Sequence, residues 1–62
     1  MAYVAEWAAV VALLNAQKAR QVKATARGDV YRTSQGKYIK VARNGAGYDV
    51  QVYGDLASCG CG

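Results

Sequence analysis

Basic side chains recur along this chain in a pattern suited to phosphate. Arg20, Lys23 and Arg27 follow one another at intervals of three and four. Arg32, Tyr38 and Lys40 come next, with Tyr53 farther on. Guanidinium and ammonium groups neutralise phosphates and release their counterions. A tyrosine ring offers a face on which a base can stack. These residues are therefore candidate contacts for nucleic acid or for an acidic protein surface. Eight Lys and Arg against four Asp and Glu give a net charge of +4, a moderate excess that also serves solubility.

Other candidate chemistry is sparse. Cys59 and Cys61 form a C-x-C tail that could make a disulfide, within the tail or between subunits. It lacks the paired C-x-x-C spacing of a structural zinc site. The stretch Asn44-Gly45-Ala46-Gly47 lacks the spacing of a phosphate-binding P-loop and reads as a hairpin turn. Histidine, the commonest general base, is absent from the 62 residues. A pocket of about 300–1,000 Å³ is hard to carve from so short a chain. No catalytic residue, metal, cofactor or small-molecule substrate is expected, and the chain is not expected to be an enzyme.

The elements that must position these side chains divide near Gly28. Residues 1–27 are rich in alanine and lack glycine. The remainder holds all seven glycines and every tyrosine but Tyr3. Ala, Leu, Gln, Lys, Arg and Glu are good helix formers, so a helix is predicted from Tyr3 to Ala26. Gly28 stands at its C′ position, and Lys23 and Arg27 suit the negative end of its dipole. Glu6 near its start is favoured by the same dipole, or forms an intersubunit salt bridge with Arg20 or Arg27. Strands are predicted at 29–33, 37–43 and 48–53, with Gly36 in the left-handed position of the first turn. Pairing sets Tyr31 opposite Ile39, Val41 opposite Val50 and Ile39 opposite Val52. Tyr31, Ile39, Val41, Tyr48, Val50 and Val52 then share one face. Val30, Arg32, Tyr38, Lys40, Ala42, Asp49, Gln51 and Tyr53 share the other. The fold class expected is α+β: one long N-terminal α-helix followed by a three-stranded antiparallel β-meander. Its parts are an Ala-rich helix at 1–27, the meander at 28–54 and a flexible Cys/Gly tail at 55–62, one domain in all.

The helix would carry its bulky residues, Tyr3, Val4, Trp7, Val10, Val11 and Leu14, in one arc against the sheet. Its opposite arc holds Ala5, Ala8, Ala9, Ala12 and Ala16. Small residues at this spacing let two helix backbones approach closely. A domain of this size buries only about 60% of the surface its unfolded chain exposes, and small chains often make up the difference by oligomerising. The alanine arc is thus a candidate self-association seam. The expected function is a non-catalytic structural subunit assembling with copies of itself, as in a virion or filament. The alternative is a small basic nucleic-acid-binding or regulatory module. A virion or extracellular assembly is the expected setting, with the cytoplasm as the alternative. The apolar run from Trp7 to Leu14 is far shorter than the roughly 20 residues of a membrane-spanning helix, so no transmembrane span is expected.

Overall fold

A computed structural model describes residues 2–59 of the chain. The elements in order are β1 (Ala2–Val4), α1 (Trp7–Ala16), β2 (Arg20–Thr25), β3 (Gly28–Arg32), β4 (Tyr38–Asn44), β5 (Gly47–Tyr53) and α2 (Leu56–Cys59). The strands form one sheet in the order β1-β5-β4-β3-β2, and every neighbouring pair is antiparallel. The fold is therefore mostly sheet, with five strands and one short helix of substance. The expected long helix followed by three strands is not what the chain adopts.

Apart from the short α2 in the expected tail, the difference lies in residues 1–27, and its cause is local. The helix stops at Ala16 because the chain turns left-handed at Lys18, where φ is +53°. The Ala19 N–H donates to the Leu14 carbonyl at 2.9 Å and the Lys18 N–H to the Asn15 carbonyl at 3.0 Å. Those two bonds are a Schellman motif. Ala19 packs into the same apolar cluster as Leu14, the hydrophobic contact that accompanies such an ending. Glycine is the usual residue at this position, so its absence from the first 27 residues hid the stop. A lysine there costs about 1–2 kcal/mol of backbone strain.

Released from the helix, Arg20–Thr25 pairs with β3 and Ala2–Val4 pairs with β5. The helix links the two edges of the sheet. Four interstrand steps of about 4.8 Å separate β1 from β2, or about 19 Å. Ten helical residues rise about 15 Å, and the short linkers supply the rest. Glu6 is the N-cap residue: its carbonyl accepts from the Ala9 and Val10 N–H groups, while its side chain makes no capping bond.

The three later strands lie within a residue of their predicted bounds. Their ladders contain the pairs Tyr31–Ile39, Val41–Val50 and Ile39–Val52. Gly36 and Gly45 have φ of +81° and +61°. The second value, at the first central residue of a two-residue loop, fits a type II′ turn. The main core joins Val10 and Leu14 of α1 to Ile39, Val41 and Val50 of the sheet, with Val4, Leu13, Ala19, Tyr31 and Tyr48 around it. Only Val10 and Leu14 of the expected bulky arc are fully buried. Trp7 stays exposed, its ring 5.2 Å from that of Tyr48, and Tyr3 belongs to β1. Val52, expected to be buried, is 61% exposed, at a surface cavity that it lines with Leu13 and Gln17.

Two glycines permit close approach. Gly28, at φ +143°, lies against the backbone of Val41 and Ala42, where a Cβ would meet Ala42 Cα at 3.0 Å. Gly47 lies under the Tyr3 ring, so β1 can settle on β5. Beyond β5, the carboxylate of Asp55 accepts the Ser58 N–H at 2.7 Å, which caps α2 and holds the Asp55 carboxyl below its usual range. On the helix side, burial pushes the Tyr31 hydroxyl above the usual phenol range, and the charge of Asp29 two residues away adds to it. Among the described residues, no helix is long and apolar enough to cross a membrane.

Candidate nucleic-acid interface

Residues directly opposite in an antiparallel ladder point to the same side of the sheet. Following the registers across β2, β3, β4 and β5 gives a first row of Arg20, Arg32, Tyr38 and Tyr53. Two residues along each of β3, β4 and β5 lies a second row: Lys23, Val30, Lys40 and Gln51. Both rows face away from α1, because the alternate positions Tyr31, Ile39, Val41 and Val50 meet the helix. Arg20, Lys23 and Arg32 are exposed, and Tyr38, Lys40, Gln51 and Tyr53 are half-buried.

Arg20 and Lys23 are three residues apart, a spacing that strand alternation would send to opposite faces. A bulge between Gln21 and Lys23 leaves Val22 without a partner and restores both cations to one side. The spacing that suggested a helical stripe is thus realised by a strand with one extra residue. The exposed β2 edge also carries the charges and bulge that discourage pairing with other chains.

The aromatic pair has firm support. Tyr38 and Tyr53 stand directly opposite each other and pack against Val30, which is fully buried beneath them. The Tyr53 hydroxyl donates to Gln51 Oε1. A third row contains Asp49, whose carboxylate receives the Asn44 Nδ2 group at 3.1 and 3.2 Å.

The structure brings Arg20, Lys23, Arg32, Tyr38 and Lys40 together and leaves Arg27 out. Arg27 sits at the exposed tip between β2 and β3, its N–H donating to Thr25 Oγ1. The length of β3, about 13 Å over four residue steps, separates that tip from the first row.

A concavity of about 580 Å³ adjoins the first row where α1 ends, lined by Lys18, Arg20, Val22, Arg32, Thr33, Ser34 and Gly36. Sequence reasoning missed Lys18. Its signal was a lysine just past a helix end, a position favoured by the dipole, but that end was expected ten residues later. Hydrogen bonds define the cleft floor. Thr33 Oγ1 accepts the Gln35 and Lys37 N–H groups at 3.3 and 3.1 Å. The Thr33 N–H donates to the Lys37 carbonyl, and the Ser34 N–H to the Gln17 carbonyl, which ties this turn to the end of α1.

Ala8, Ala9, Ala12 and Ala16 lie exposed on α1, on the opposite side of the molecule from the basic rows. Ala5, expected among them on the helix, is exposed in the bend before it. Of Cys59 and Cys61, the pair expected to form a disulfide, Cys61 lies outside the described residues. Among the described residues, no cluster of three or more His, Cys, Asp or Glu could hold a metal ion. Comparison with protein-family models, with curated proteins and with solved structures finds no match.

Proposed function

We propose that this protein is a non-catalytic module that binds single-stranded nucleic acid across the sheet face opposite α1. One observation carries the reading: Arg20, Lys23, Arg32 and Lys40 share two adjacent rows with the Tyr38–Tyr53 pair. Neither row contains a carboxylate. Basic groups that follow a backbone, beside rings on which bases stack, are the recurring means of holding single strands without reading sequence. The rings rest on Val30, so little side-chain freedom is left to lose on stacking.

The test is binding to oligo(dT) and oligo(U) over a range of salt. Four phosphate contacts give a slope of log K against log salt of about −3. Duplex of equal length should bind more weakly, since its bases are already stacked. Absence of binding at low salt, or binding indifferent to salt, would overturn the proposal.

A second reading, self-association through α1, is favoured by a separate observation. The helix sequence WAAVVALLNA contains no charge, and four alanines and Trp7 on it are exposed. The two surfaces lie on opposite sides of the sheet, so copies joined through α1 would keep their basic faces free. Light scattering of the wild type and Ala12→Glu over a dilution series tests this. A larger species that Ala12→Glu dissociates supports it, and a wild-type monomer at every concentration removes it.

A further inference from the structure

We infer that the cleft between the end of α1 and the turn after β3 is a subsite for a phosphate monoester, the terminal phosphate of a bound strand. It rests on the nucleic-acid reading for the source of the phosphate, and on the cleft itself for the chemistry.

Lys18, Arg20 and Arg32 reach this concavity from three different segments, and no Asp or Glu is among the described residues that line it. Arg20 and Arg32 are direct cross-strand partners, an arrangement of like charges that is unfavourable until an anion lies between them. The Arg32 guanidinium extends over the turn, 3.8 Å from where a Cβ on Gly36 would stand. Lys18 occupies the left-handed position of a helix ending, where glycine is the less strained choice. Backbone strain of this kind concentrates at functional positions, and here the strained residue is one that lines the cleft.

The end of a helix is ordinarily hostile to anions, because its last carbonyls point outward. That hostility is muted in this fold. The carbonyls of Leu13, Leu14, Asn15 and Gln17 accept the N–H groups of Gln17, Ala19, Lys18 and Ser34 respectively. Thr33 Oγ1 already accepts two N–H groups, so its remaining capacity is as a donor. A monoester carries close to two negative charges at pH 7, against three cations here. The cleft adjoins the Arg20, Arg32, Tyr38, Tyr53 row, so a strand stacked on the tyrosines would bring its end to the cleft.

The test compares oligo(dT) bearing a 5′-phosphate, a 3′-phosphate or neither end phosphorylated, with wild type and Lys18→Gly. Wild type should bind one phosphorylated form about tenfold more tightly than the unphosphorylated strand. Lys18→Gly, which keeps the backbone conformation and removes the ammonium, should erase that preference while circular dichroism shows an intact fold. Equal affinity of wild type for all three oligonucleotides overturns the subsite and leaves the sheet-face reading standing. A separate titration with inorganic phosphate follows the amide signals of Lys18, Ser34 and Gly36. Saturable shifts at those amides without oligonucleotide binding support the phosphate site and reject nucleic acid as its source. No shifts, with no preference for a phosphorylated end, overturn the inference.

Discussion

Arg20 and Arg32 stand directly opposite each other across the β2–β3 ladder, two guanidinium groups on one exposed face. Like charges so placed weaken a sheet. Arg20→Thr should therefore stabilise the free protein by on the order of 0.5 kcal/mol, most visibly at low salt, where screening is weakest. The same change should reduce the salt slope of single-strand binding by about 0.7. Thermal melts and binding isotherms at two ionic strengths measure both. A variant that loses stability and keeps the full slope would remove Arg20 from the interface.

Lys18→Gly should raise stability by about 1 kcal/mol, since glycine adopts φ of +53° without a Cβ penalty. For a domain of this size that is about 4–8 °C in Tm. A lower Tm would mean that the lysine side chain contributes more to the unbound fold than its backbone costs.

Gly28→Ala and Gly45→Ala form a controlled pair. Both glycines have positive φ, but a Cβ on Gly45 meets nothing within 4 Å, whereas one on Gly28 runs into the Val41 and Ala42 backbone. Gly45→Ala should cost about 1 kcal/mol. Gly28→Ala should cost upwards of about 3 kcal/mol, because strain and collision add. Denaturant unfolding of the two variants gives the comparison, and equal losses would contradict the close approach at Gly28.

Tyr31 sets an alkaline limit. Its folded pKa is raised by burial, with Asp29 adding to it. Between the unfolded value of about 10 and the folded one, the unfolded state binds fewer protons than the native state. Stability is therefore fully present below about pH 10 and falls as pH rises through the folded pKa. Tyr31→Phe should flatten that part of the Tm–pH profile, and an unchanged decline above pH 10 would assign it to other tyrosines.

Much of the β half was legible because its alternation is strong. Tyr31, Ile39, Val41 and Val50 mark one face, and Gly36 and Gly45 mark the turns. β2 was not legible, for a physical reason. Its residues are nearly all exposed, so no apolar period exists to compete with the helix propensity of Arg, Gln, Lys and Ala. The open edge of β3 supplied the ladder hydrogen bonds that overrode that propensity. The basic residues of the proposed interface, Arg27 apart, could nevertheless be picked out together, because charge and ring chemistry do not depend on the element that presents them. Lys18 was not, since its role depends on where the helix ends.

The pairing of Ala2 with Val50 has a consequence for the order of assembly. β1 is synthesised long before β5, the strand on which it pairs. Hairpins 20–32, 28–44 and 38–53 join near neighbours and can zip early, whereas the opening strand must wait for a partner 48 positions downstream. Closing that loop carries the largest entropy cost of the strand pairings, and until it happens Val4 and the start of α1 have no sheet edge beneath them.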